Sequence, residues 1–141
     1  SAEQGNSLAM INLGYCCSNG IGCDINLTKS FEWFEKSAKL GYCTAMFNVG
    51  ECYNDGFGCD QNETKAFEWF EKSAKLGNSD AMFTVGVLFK NGTGVTKDLN
   101  KAIEWYTKAI ANDEEFSFLK TTLDALIVAQ QEANNNDDDE L

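Results

Sequence analysis

The six cysteines are the first residues to test for chemistry. Cys16 and Cys23 stand seven positions apart, and Cys52 and Cys59 repeat that spacing 36 residues later. A further 36 residues on, the same two positions hold Leu88 and Val95, so both members of the pair change together. Side chains in mutual contact explain this in two ways. Either Cys16–Cys23 and Cys52–Cys59 are disulfides, or each pair is two small thiols packed as hydrophobes, as Leu88 and Val95 would be. Zinc fits poorly, because no CxxC spacing occurs and the chain has no histidine. Cys17 and Cys43 have no counterpart in the other units. Without histidine, a general base has to be a carboxylate, Lys, Tyr or Cys, and no such pair stands apart from the repeating pattern. Glycines such as Gly20 and Gly22 recur in every unit, and no Lys-Ser or Lys-Thr follows them as in a phosphate loop. The residues argue against an enzyme and call for no cofactor and no metal.

Modification chemistry is the next possibility. Asn26-Leu27-Thr28, Asn62-Glu63-Thr64 and Asn91-Gly92-Thr93 are N-glycosylation acceptor triplets, the first two at equivalent loop positions. Ordinary helix-start chemistry, with Thr28 or Thr64 near a helix N-terminus, explains Asn26 and Asn62 equally well. The chain ends Asp138-Asp139-Glu140-Leu141, which has the form of an endoplasmic-reticulum retrieval tetrapeptide or of a plain acidic tail. Triplets, an even cysteine count and this ending together favour a secretory-pathway lumen over the cytoplasm. The formal charge of −11, from 22 acidic and 11 basic residues, disfavours nucleic acid and anionic membrane surfaces, which are bound through an excess of Lys and Arg. No apolar run reaches the ~18 residues of a membrane span.

These groups are positioned by a repeat. A shift of 36 residues aligns Ala9, Ala45 and Ala81; Gly14, Gly50 and Gly86; Gly20, Gly56 and Gly92; Gly22, Gly58 and Gly94; and Trp33, Trp69 and Trp105. Each unit reads as a helix, a Gly-containing turn and a second helix. In the second unit, Ala45, Met46, Val49 and Gly50 fall at helical spacing, and Asn54 to Gly58 break it. The second helix, over about Thr64 to Leu76, buries a Phe67, Phe70, Ala74 stripe and pairs Glu68 with Lys72 and Glu71 with Lys75 on its wet side. Ala45 and Gly50 predict close approach of helix backbones, and Trp69 an anchor between units. Two short helices cannot bury such a stripe alone, so the units must stack.

The order Ala45, Gly50, Gly56-Phe57-Gly58, Asp60, Lys65-Ala66, Trp69-Phe70, Lys72, Ala74, Gly77 resembles the Sel1-like repeat, a relative of the tetratricopeptide repeat, over residues 1 to about 112. Departures are small: Ser30 replaces Ala66 and Ala102, Cys23 and Cys59 replace Val95, and Asp113 replaces the terminal Gly. The resemblance implies an all-α, right-handed α-solenoid that serves as a protein-protein interaction adaptor or scaffold with no chemistry of its own. It also implies a partner bound on the concave face, and for members in the secretory lumen a place in disposal of misfolded proteins. A permanent structural subunit or spacer is the alternative role.

The expected organisation is repeat 1 over 7–42, repeat 2 over 43–78, repeat 3 over 79–113, a capping helix over 114–133 and an acidic disordered tail over 134–141. The cap is read from the helical spacing of Phe116, Leu119, Leu123, Leu126 and Ile127. Ser1-Ala2-Glu3-Gln4-Gly5-Asn6 matches Ser73-Ala74-Lys75-Leu76-Gly77-Asn78, so 1–6 is expected to be the end of a preceding repeat in a longer array. Where the units differ along the first helix, a partner could be read. Asn12, Asn48 and Thr84, then Tyr15, Glu51 and Val87, then Asn19 and Asp55, together with Thr44 and Asp80, share one helix face and are the expected contacts for a protein or peptide. A solvated face under no constraint is the competing explanation of that stripe.

Overall fold

The computed structural model describes residues 2–21 and 25–139. Three antiparallel helix pairs follow one another: α1 (Ala2–Asn19) with α2 (Leu27–Lys39), α3 (Cys43–Asp55) with α4 (Glu63–Lys75), and α5 (Ser79–Asn91) with α6 (Leu99–Asn112). A 3₁₀ turn, Glu114–Leu119, and α7 (Lys120–Asp139) close the stack, and the described residues contain no strand. The main contacts run in chain order, each helix on the next from α1 to α6, and the 3₁₀ turn and α7 pack on α6. The architecture is the right-handed α-solenoid that the repeats demand.

Local chemistry sets the element ends. Asn26, Asn62 and Asp98 occupy one repeat column and cap the second helices, their side-chain oxygens accepting the backbone N–H of Lys29, Lys65 and Lys101 at 3.0, 3.0 and 3.1 Å. In α2 and α4 the cap is therefore the sequon asparagine itself, with Thr28 and Thr64 the second residues of the helix. At the other end of α3 and α5, Gly56 and Gly92 end the helix in the left-handed region.

Packing within a repeat depends on a missing side chain. A Cβ on Gly50 would lie 2.7 Å from the Phe70 ring, one on Gly14 2.5 Å from Phe34, and one on Gly86 2.7 Å from Tyr106. The second helix thus lays an aromatic ring directly on the backbone of the first, and Phe34, Phe70 and Tyr106 are all buried. Between repeats the same economy applies at Gly58 and Gly94, whose backbones meet the carbonyls of Leu27 and Glu63 at positive φ. Phe31 meets Tyr53 edge-on at 5.4 Å, and the equivalent Phe67 and Phe89 meet at 5.2 Å, so successive junctions are built alike. Buried hydroxyls tie the pairs further, with Ser30 donating to the Gly14 carbonyl at 2.8 Å and Ser73 to that of Cys43 at 2.6 Å.

Trp69 is half-buried and packs against the cluster formed by Ile11, Phe34, Ala38, Ala45, Val49 and Cys52. The expected ion pair of Glu71 with Lys75 forms at 3.1 Å. Lys72 instead lies over the Trp69 ring, 4.6 Å from its centroid, as Lys36 and Lys108 lie over Trp33 and Trp105.

Both ends differ from expectation. α1 is continuous through Gly5 and Asn6, where a repeat end was expected. One glycine costs a helix only about 1 kcal/mol, and the breaks at Gly41 and Gly77 are held by the packing of α2 on α3 and α4 on α5. The cap is not one helix over 114–133: Asp113 accepts from the Glu115 N–H and starts the 3₁₀ turn, which buries Phe116 and Leu119 before α7 begins. Nor is the acidic run a disordered tail, since α7 extends to Asp139. No Gly or Pro interrupts 114–141, and a formed helix gains one hydrogen bond for each residue added. The two residues that complete the terminal tetrapeptide, Glu140 and Leu141, lie outside the described residues.

The capping column yields a direct expectation. Asn62→Ala should cost about 1 kcal/mol in urea unfolding, and Asn62→Asp should restore most of it because Asp98 does the same work in repeat 3. Equal losses for the two variants would mean the side-chain oxygen is not the cap.

Candidate functional site

A groove of about 500 Å³ lies where repeats 1 and 2 meet. Tyr15, Ser18 and Asn19 of α1 and Asn48, Glu51, Cys52 and Asp55 of α3 form one part of it; Leu27, Ser30 and Phe34 of α2 and Phe57 of the following turn form the rest. Five of the ten expected contact positions are brought together here: Tyr15, Asn19, Asn48, Glu51 and Asp55.

The floor is a fixed polar contact. Asn48 is buried, with its Nδ2 donating to the Tyr15 hydroxyl at 2.9 Å and its Oδ1 lying 3.1 Å from the same hydroxyl. Tyr15 also sits edge-on to Phe34 at 5.3 Å and keeps 42% of its surface exposed. Asn48 is thus not an open contact residue: it orients Tyr15, because a buried amide must be hydrogen-bonded.

The α3 wall is acidic. Desolvation raises the Glu51 carboxyl above the ordinary carboxylate range, and the neighbouring carboxylates of Asp55 and Asp80 add to it. Asp55 accepts from the Asn54 side chain at 3.0 Å, and neither Glu51 nor Asp55 has a cationic partner among the described residues. Cys52 is buried behind this wall. Desolvation pushes its thiol up to about 12, with smaller contributions from Cys59, Glu51 and Asp55, so at neutral pH it is protonated and a poor nucleophile.

The remaining expected contacts stand elsewhere. Asn12 is exposed on α1 away from the groove. Thr44 borders a shallower hollow of about 260 Å³ with Leu8, Ile11, Tyr42 and Cys43. Thr84 turns its hydroxyl back to the Asp80 carbonyl at 2.8 Å, and Asp80 reaches the groove only through its field on Glu51. Val87 is half-buried and packs on the core of repeats 2 and 3, so it is a packing residue and not a contact: an apolar side chain on that face is drawn into the stack. Phe57 was not singled out from the sequence, although an aromatic between two turn glycines, with 50% of its surface exposed, is itself a signal.

Of the second expected cysteine pair, Cys52 is buried and Cys59 half-buried, both as free thiols, and Cys59 adds to the upward shift of the Cys52 thiol. Cys23, and with it the expected Cys16–Cys23 pair, lies outside the described residues. Of the three sequon asparagines, Asn26 and Asn91 are exposed and Asn62 is half-buried.

A stacked array of helix pairs with a groove at a repeat junction is the architecture of the helical-repeat proteins. The sequence profile of the Sel1 repeat matches residues 7–42, 43–78 and 79–114, and the chain belongs to the Sel1-repeat family. Sel1 repeats generally mediate protein–protein interaction, and the family is generally a non-catalytic repeat scaffold. Among solved structures, the chain is similar to a Sel1 repeat protein from Oxalobacter formigenes, with 31% identity and a TM-score of 0.75 over 78% of this chain and 45% of that one. It is also similar to c5321, a protective antigen of uropathogenic Escherichia coli with the same repeat fold, with 33% identity and a TM-score of 0.73 over 78% of this chain and 24% of that one. The Helicobacter pylori cysteine rich protein B shares the fold at 20% identity, with a TM-score of 0.67 over 80% of this chain and 88% of that one. This chain therefore spans less than half the length of the first two. No curated protein matches it.

The raised Glu51 carboxyl makes stability pH-dependent with a definite sign. Folding takes up a proton here between the unfolded and folded pKa values, so stability contributed by this group falls as pH rises through that window. Glu51→Gln should raise the melting temperature near pH 7, and the advantage should shrink toward about pH 4, where the wild-type carboxyl is itself neutral. A pH-independent difference would show that Glu51 is not under strain from Asp55 and Asp80.

Proposed function

We propose that the chain is a non-catalytic adaptor that holds a protein or peptide on the face formed by the first helices, centred on the groove between repeats 1 and 2. The observation that carries this reading is the coincidence of that groove with five of the positions at which the units differ along their first helices. Packing explains the constant columns, whereas a varied column that lines a cavity is available for recognition. The alternative, a subunit locked permanently in a larger assembly, gains some support from Leu27, Phe34 and Phe57, an apolar side to the groove. The acidic α3 wall opposes it, because charged residues are depleted from the centres of permanent interfaces.

Tyr15→Ala is a poor probe, since it strands the buried Asn48 amide at a cost of about 1–3 kcal/mol. Phe57 is exposed and can be removed cleanly. In fluorescence anisotropy with a pool of degenerate peptides, Phe57→Ala should weaken binding by about tenfold, while Lys75→Ala, on the exposed side of α4, should leave it unchanged. No loss with Phe57→Ala, or an equal loss with Lys75→Ala, means the partner binds elsewhere.

We also propose passage through a secretory lumen, supported by exposed Asn26 and Asn91 within acceptor triplets. A capping asparagine uses its Oδ1 and leaves Nδ2 open to a glycan. Intact mass from the native source before and after glycosidase treatment should fall by a glycan; an unchanged mass returns the chain to the cytoplasm.

A further inference from the structure

The two repeat junctions have the same backbone and packing but different walls. Where the first junction has Glu51, Asp55 and Phe57, the equivalent positions of the second are Val87, Asn91 and Thr93. The charge and the exposed aromatic are therefore local additions to one junction, not requirements of the stack. No lysine lines the groove. α1 and α3 contain none, and on α2 and α4 Lys36, Lys39, Lys72 and Lys75 engage a tryptophan ring or a glutamate of their own helix while Lys65 lies over Tyr53.

We propose, resting on the peptide-binding reading above, that the groove between repeats 1 and 2 selects a basic side chain flanked by apolar residues. Glu51 and Asp55 meet the charge, while Tyr15 and Phe57 offer ring faces and Leu27 an apolar rest for the flanks. The groove's lining contains no lysine, so its carboxylates have no internal counter-ion and the partner must supply one. A guanidinium fits this combination best: its planar fork pairs with carboxylate and its face stacks on an aromatic ring. Burial and the Asp55 and Asp80 charges already disfavour ionised Glu51, so an arriving cation relieves repulsion that the free protein carries. Two carboxylates beside aromatic rings suit a divalent ion poorly, since hard cations take about six or more oxygens.

The test uses the full chain and three pools of blocked peptides, degenerate except for a central arginine, citrulline or leucine, with binding read by anisotropy. Citrulline keeps the shape of arginine and removes its charge. The arginine pool should bind about fivefold tighter than the citrulline pool, and Glu51→Val/Asp55→Asn, which gives the first junction the side chains of the second, should abolish the difference. Because those side chains already fold in repeat 3, a retained thermal melt separates lost recognition from lost structure, and Glu51→Gln/Asp55→Asn serves as a second, closer variant. If the leucine pool binds best or arginine and citrulline bind alike, while Phe57→Ala still weakens both, the peptide groove stands and its selectivity for a basic residue is wrong. If no pool binds, both readings fail.

Discussion

In each repeat, an aromatic ring of the second helix rests on bare backbone of the first, at Gly14, Gly50 and Gly86, and this contact sets the spacing of everything else. Bringing two helices that close is possible only where one presents no Cβ, and it turns a pair of 13-residue helices, each marginal alone, into a single packed layer. The layer then has two apolar sides, and the next layer covers one of them through Phe31 on Tyr53 and Phe67 on Phe89. Glycines again make the junction possible, with Gly58 and Gly94 seated on the carbonyls that begin the preceding second helix. The groove is a consequence of this stacking: it is the space left between adjacent first helices once the rings have fixed their separation.

Much of this was legible in the sequence because repetition separates two kinds of constraint. Columns that return unchanged, such as those of Ala45, Gly50 and Trp69, are those the stack requires. Columns that vary are released from it, and Tyr15, Asn19, Glu51 and Asp55 fall in the groove for that reason. The same logic misplaced Val87 and misread Asn48. Variation does not say whether a side chain is outside the stack or has found a different way into it: Val87 joins the core, and Asn48 is buried by pairing with Tyr15. Helix α7 and the cap geometry had no second copy to compare, and there the sequence was least informative. Its composition suggested disorder at Asn134 to Asp139, whereas an unbroken helix carries on from the buried Leu126.

The division of labour between helices follows from where charge can be tolerated. Each second helix lays one lysine over its own tryptophan, α2 and α4 add an ion pair of their own, and Lys65 and Lys101 lie over Tyr53 and Phe89 of the preceding first helices. The first helices of repeats 2 and 3 instead bring Glu51, Asp55 and Asp80 together, and Glu51 is partly desolvated beside the other two. A scaffold has no need of that arrangement for stability, and it acts against stability near neutral pH. Its place at the groove between repeats 1 and 2 is what links the packing of the array to the proposed recognition.

The ring-on-glycine contact can be isolated by a double-mutant cycle with Gly50→Ala and Phe70→Leu, measured by urea unfolding. Gly50→Ala alone should cost about 1–3 kcal/mol, because the Phe70 ring must move or distort its helix. In the Phe70→Leu background the same change should cost markedly less, leaving a coupling energy of about 1 kcal/mol or more. Additive losses, within about 0.5 kcal/mol, would mean that Gly50 is not required by the ring and that the repeat owes its spacing to something else.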